Sequence, residues 1–142
     1  MEVKHIIESF RRVLTGHYAD FKGRAARTEF WRYILVYLVI SILLDILGIR
    51  LLSTMVGLAL LVPTLAITVR RLHDVDRSGW LVLVPIVPAF LTVSLFYLSW
   101  LLGAVFALAT LLGSAYLIYL YVLPGMVGPN QFGADPKGVT SA

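Results

Sequence analysis

The sequence predicts an all-α integral membrane protein: a four-span transmembrane helix bundle with an N-terminal amphipathic surface helix, forming one membrane domain over residues 1–142. Three observations lead there. Hydrophobic residues make up 59% of the chain and charged residues only 14%, too few polar side chains to cover a soluble domain of this size. Four apolar runs follow one another, Phe30–Leu47, Leu51–Val69, Trp80–Leu98 and Trp100–Leu123. At 1.5 Å rise per residue they cover about 27–36 Å, enough for a hydrocarbon core of about 30 Å. The cations are also sorted by side. With four spans and the N-terminus inside, Lys4, Arg11, Arg12, Lys22, Arg24, Arg27, Arg32, Arg70, Arg71, Arg77 and Lys137 lie in cytoplasmic segments and only Arg50 outside, a strong positive-inside bias. A three-span arrangement would move only Lys137 outward.

Residues 2–14 read as an amphipathic helix. Val3, Ile6, Ile7, Phe10, Val13 and Leu14 recur at three- and four-residue spacing, opposite Lys4, Glu8, Arg11 and Arg12;. Such a helix can lie in the headgroup plane with its apolar stripe down, or pack on the protein's own loops. Residues 1–29 contain no apolar core followed by a small-residue cleavage site, so the first span is expected to stay as an anchor. Thr15 to Arg27 is a polar connector broken by Gly16 and Gly23.

The apolar runs read as helices despite their β-branched content, because a helix satisfies its own backbone hydrogen bonds in lipid. Trp80–Leu123 is 44 residues long, too long for one crossing, and Tyr97 and Trp100 suit a membrane–water interface, so a tight helical hairpin is expected there. Pro63, Pro85 and Pro88 should kink their helices. Gly103, Ala107, Ala109, Gly113 and Ala115 let another helix approach closely, within the chain or in a second copy. Asp45 is the one acidic residue inside an apolar run. It is a functional candidate by its position, or a structural partner of Arg50 at the outer end. Residues 124–142 form a cytoplasmic tail.

Composition also excludes chemistry. The chain has no cysteine, so disulfides, thiolate metal sites and cysteine nucleophiles are out. Its net charge of +4 lies beside apolar runs, which points to anionic phospholipid and topology, not to nucleic acid.

Three polar motifs fall on the cytoplasmic side of the four-span arrangement. The first, Phe21–Trp31, leads into the first span. The second, Arg70–Trp80, is the densest cluster of ionisable groups in the chain. The third, Gly125–Pro136, follows the last span. These residues resemble the bacterial domain-of-unknown-function 805 family, the YhaH-like inner-membrane proteins. The positions that carry the resemblance are Gly23, Arg24, Arg27, Glu29, Phe30 and Trp31; Arg70 to Asp74 and Arg77 to Trp80; and Gly125, Gly128, Asn130, Phe132, Gly133, Asp135 and Pro136. The likeness runs from about Tyr18 to Pro136. Leu81 stands where the family commonly has a second tryptophan, and Phe132 where it has tyrosine. The resemblance implies a membrane location and no established activity.

Arg24, Arg27, Arg70, Arg71 and Arg77 offer planar forks suited to phosphate or carboxylate, with Glu29, Asp74, Asp76 and Asp135 as internal partners. Pairing one to one leaves one positive charge over. Either the arginines and carboxylates simply pin a cytoplasmic cap, or the cap also binds an anionic phospholipid headgroup or an acidic protein partner. The candidate anion or partner site is therefore Arg24, Arg27, Glu29, Arg70, Arg71, His73, Asp74, Arg77, Asn130 and Asp135. His73 beside Asp74 invites a catalytic reading, but adjacent helical residues do not face each other. No nucleophile elbow, metalloprotease helix or complete phosphate loop is present, so no catalytic residue, metal or cofactor is assigned. The reading favoured is a non-enzymatic membrane protein. A small transporter or channel component is the alternative, with Asp45, Thr64, Thr68, Ser94, Thr110 and Ser114 as its polar lining. A membrane-bound enzyme comes third.

Overall fold

The computed structural model describes residues 2–138; Met1 and the last four positions of the expected tail lie outside the described residues. The order is α1 (Glu2–Gly16), α2 (Arg27–Ile46), α3 (Arg50–Asp74), a 3-10 turn (Gly79–Val82), α4 (Leu83–Phe96) and α5 (Trp100–Val122). Among the described residues there is no strand, only an isolated bridge between Asn130 and Gly133.

α1 runs two residues beyond its expected end, to Gly16. Its apolar stripe is wider than its contact with the rest of the chain. One edge packs inward: Val13 is fully buried with Ala25, Phe30, Tyr33 and Ile67, and the Phe10 ring stacks on Tyr33 at 5.3 Å. The other edge stays open, with Val3 66% and Ile7 59% exposed. The inward edge thus meets helices α2 and α3 as well as the connector, and the open edge remains available to an apolar surface.

α2 and α3 form an antiparallel hairpin around Gly48, whose φ of +68° suits a residue without Cβ;. Two side-chain bonds fix its register. The Tyr33 and Thr64 hydroxyls meet at 2.9 Å, and Ser53 Oγ donates to Asp45 Oδ1 at 2.8 Å. Asp45 therefore takes a hydroxyl from the next helix, not the guanidinium of Arg50 as the sequence suggested. Ser53 lies one turn inside α3, where its side chain faces α2.

Pro63 sits inside α3. Lacking an N–H, it leaves the Ala59 carbonyl without its helical donor. The Tyr18 hydroxyl supplies one from the connector, at 2.6 Å. Tyr18→Phe should leave that carbonyl unsatisfied and cost about 1 kcal/mol. Thermal unfolding in detergent would read this as a small fall in midpoint, and an unchanged midpoint would show the bond contributes nothing.

The third expected helix begins as the 3-10 turn and continues as α4, with Pro85 in its first turn and Pro88 in its interior. The turn at Tyr97–Ser99 returns the chain into α5. A Cβ on Gly103 would come within 2.8 Å of the Phe96 ring, and one on Gly113 within 3.0 Å of Val84. These small residues serve the α4–α5 contact inside the chain. Thr68, Thr92, Ser94 and Thr110 each donate to the carbonyl four residues back in their own helix.

Among the described residues, three segments are long and apolar enough to cross a membrane: Arg50–Asp74, Gly79–Phe96 and Trp100–Val122. α2 differs from them. It holds Arg27, Glu29 and Arg32 in its first turns and Asp45 near its end, which shortens the charge-free part of the expected Phe30–Leu47 run. Burial is concentrated at one end of the molecule. The buried residues of α2 are Phe30 and Tyr33, those of α3 begin at Leu60, and Leu72 packs with Leu117 and Leu120 of α5. That end is the cap.

Candidate functional site: a cap built around Asp74

The cap starts from the way α3 ends. The Arg77 amide donates to Leu72 O at 2.9 Å and the Asp76 amide to His73 O at 3.1 Å. Asp76 occupies the left-handed position with φ +56°, where a short polar side chain is tolerated. This closure turns Asp74 inward, with its side chain 3% exposed. A carboxylate at a helix C-terminus sits against the dipole and is desolvated here, so it requires strong partners.

It has two. Arg24 places Nε 3.1 Å and Nη2 3.0 Å from Asp74 Oδ1, while Arg71 Nη1 lies 2.5 Å from Oδ2. The rest of both forks is spent on backbone. Arg24 donates to Gly128 O at 2.6 Å and Met126 O at 2.5 Å. Arg71 donates to Tyr121 O through Nε and Nη2, and to Leu123 O. Arg27 Nη1 bonds Val122 O at 3.1 Å. The carbonyls at the end of α5, which lack helical donors, are thus met by arginines from α2 and α3, as the dipole favours. The Met126 amide closes the ring by donating to Asp74 O at 2.8 Å. First motif, loop and tail become one unit through a single carboxylate.

His73 lies on the other side of that turn. Its Nδ1 is 3.1 Å from Gly23 O, so this nitrogen carries the proton. The ring stacks flat on Phe132, with centroids 3.9 Å apart and planes within 2°. Gly79 permits this packing, since a Cβ there would lie 2.5 Å from Val69 Cγ1 and 3.2 Å from His73 Nε2. Asn130 Nδ2 donates to His73 O at 2.8 Å, and Asn130 Oδ1 accepts the Phe132 amide at 2.9 Å. Asp135 accepts amides from Gly128 at 3.1 Å and Lys137 at 2.9 Å. These amides, that of Lys137 first, hold its carboxyl below the usual carboxylate range;. Gln131 Nε2 reaches Asp76 Oδ1 at 3.2 Å.

The predicted site residues thus divide. Arg24, Arg71, His73, Asp74, Asn130 and Asp135 converge. Arg27 serves the end of α5, and Arg77 is exposed without a side-chain partner among the described residues. Glu29 lines a cavity beside α1, and Arg70 is buried. One-to-one pairing of arginines with carboxylates is corrected: Asp74 takes two arginines, while Glu29, Asp76 and Asp135 take none. Arg27, Arg70 and Arg77 form no ion pair among the described residues. Arg70 is 3% exposed, and its Nε and Nη2 have no partner among the described residues. Its carbonyl accepts the Ala25 amide at 3.0 Å, which fixes the backbone while leaving most of the fork unbonded.

With both Asp74 oxygens held by arginines, His73 has no carboxylate to orient it as a base. No group of three or more candidate metal ligands gathers among the described residues. Sequence reasoning missed the backbone acceptors at Tyr121, Leu123 and Met126 and the role of Tyr18. Carbonyl partners leave no side-chain signature. For Tyr18, Pro63 signalled a freed carbonyl, though not what would fill it.

Long apolar helices joined at one end by an arginine–aspartate cap define a helical membrane protein, and inner membrane proteins are among its relatives. The chain belongs to a family described as a protein of unknown function, DUF805, which matches residues 18–134. It is 32% identical over 131 residues to the inner membrane protein YhaH of Escherichia coli K12, covering 85% of this chain and 90% of that one. It is 34% identical over 127 residues to the inner membrane protein YhaI of the same strain, covering 85% and 89%. The uncharacterized protein YiiR of that strain is 34% identical over 130 residues, covering 84% and 88%. No solved structure matches. The chain is a helical inner-membrane protein of this family.

Proposed function

We propose that this is a non-enzymatic membrane protein with four crossings and cytoplasmic termini, whose cap binds anionic phospholipid or an acidic protein partner. The observation that carries the binding reading is Arg70: a buried guanidinium with two unpartnered N–H groups is costly unless an acceptor reaches it. The Asp74 cluster serves as the internal lock that holds the cap together. Four crossings are supported by the α2–α3 register. The Tyr33–Thr64 and Asp45–Ser53 bonds keep α2 beside α3 from the cap to the far turn, so both reach the same depth. The sorting of cations favours the cap as the inner side. Three of the hydroxyls that a transport path would need, those of Thr68, Ser94 and Thr110, are bonded to their own helices, which favours the binding reading.

The chain's lack of cysteine makes topology measurable. Single cysteines at Ser53, Ser78, Ser99 and Lys137 should separate under an impermeant thiol reagent. Positions 53 and 99 are expected to react in spheroplasts, and 78 and 137 only after lysis. Labelling of position 137 from outside would overturn the four-crossing arrangement.

A further inference from the structure

A second concentration of charge lies outside the Asp74 cluster. Between α1, the first turn of α2 and the tail is a cavity of about 240 Å³. Three cations from three separate elements line it: Arg12 of α1, Arg32 of α2 and Lys137 of the tail. None of them forms an ion pair among the described residues. Two carboxylates, Glu8 and Glu29, line it as well. Three cations against two carboxylates leave the cavity a surplus of one positive charge.

The floor suits an anion too. α2 begins after Ala26, which offers no side chain to bond the first-turn amides, and Ala26 and Thr28 line the cavity;. The volume holds a phosphate with a small substituent and is below the usual range of sites for larger organic ligands.

We propose that this cavity seats a phosphate ester group, that of a phospholipid headgroup or of a soluble ester, bound by Arg12, Arg32 and Lys137. The proposal rests on the reading of the cap as an anion-binding surface and moves its seat away from the Asp74 cluster. Phosphate binding by two guanidinium forks and an ammonium is charge-assisted.

The test is native mass spectrometry of delipidated full-length protein titrated with short-chain phosphatidylglycerol, and separately with glycerol phosphate. Arg12→Gln/Arg32→Gln/Lys137→Gln is compared with Lys4→Gln/Arg11→Gln/Lys22→Gln, which removes the same charge from exposed positions outside the cavity. The cavity variant is expected to weaken phosphatidylglycerol binding at least about tenfold, and the control about twofold or less. Arg12→Gln alone, on an exposed position of α1, gives the same direction should the triple variant fail to fold. Equal weakening in both triples overturns the site while leaving lipid binding by the cap intact. Absence of phosphatidylglycerol and glycerol phosphate binding by the wild type overturns both readings. Tighter binding of phosphatidylglycerol than of glycerol phosphate supports the lipid as source; equal binding of the two overturns it in favour of a soluble phosphate ester.

Discussion

Asp74→Ala should destabilise the protein by about 3–5 kcal/mol, the range for removing one member of a buried charge group. Two guanidinium groups, with side chains 1% and 0% exposed, would then sit beside each other without a counter-ion. Their bonds to Gly128, Met126, Tyr121 and Leu123 carbonyls remain possible, but repulsion would push them apart. The tail would be released with them. Thermal unfolding in detergent reads the loss, and limited proteolysis after residue 123 reads release of the tail. A second variant separates charge imbalance from mere loss of contact. Arg24→Met/Arg71→Met/Asp74→Leu removes the whole charge group and should unfold at a higher temperature than Asp74→Ala, because an apolar replacement restores packing without an orphaned ion. If Asp74→Ala falls within about 1 kcal/mol of the wild type, which is the range of an exposed pair, Asp74 is not the lock.

Gly125→Ala should cost about 2–3 kcal/mol, at the upper end of overpacking by a single methyl. A Cβ there would overlap Asp74 Oδ2 and stand 2.8 Å from Cγ and 3.0 Å from Oδ1. Elsewhere a short side chain could swing aside. Here both oxygens are held by arginines and the Asp74 carbonyl by the Met126 amide, so accommodation means breaking the lock. Gly57→Ala is the matched control. Gly57 lies inside α3, and a methyl added there would have nothing within 4 Å, so the change should be neutral or stabilising by up to about 1 kcal/mol through helix propensity. Opposite signs for the same chemical substitution would place the effect at Asp74. Similar shifts for the two variants would contradict the close approach.

Much of this architecture was legible in the chain. The spacing of Ile6, Phe10 and Val13 marked α1, and the apolar runs marked the later helices. Three polar motifs at their ends marked the cap. The pairing inside the cap was not legible, because counting arginines against carboxylates assigns charge without geometry. Asp74 could take two arginines only because α3 closes at Asp76 and turns its carboxylate inward, and because α5 ends where Arg71 can reach Tyr121 and Leu123. The same limit applies at the far turn. Charge alone matched Asp45 with Arg50, whereas the helix phase brought Ser53 to it. The cations of Arg12, Arg32 and Lys137 are far apart along the chain, and only packing of α1 and the tail against α2 brings them to one cavity.

The claim beneath all of this is that loop and tail meet on one side of the membrane. Asp76 and Gln131 report on it directly, since their exposed side chains touch at 3.2 Å in a chain with no cysteine of its own. Asp76→Cys/Gln131→Cys, treated in native membranes with a short bifunctional thiol reagent, should yield an intramolecular cross-link by intact-mass measurement, and Ser99→Cys/Gln131→Cys should not. Two independent single adducts at positions 76 and 131, each reached from a different side of the membrane, would contradict the account.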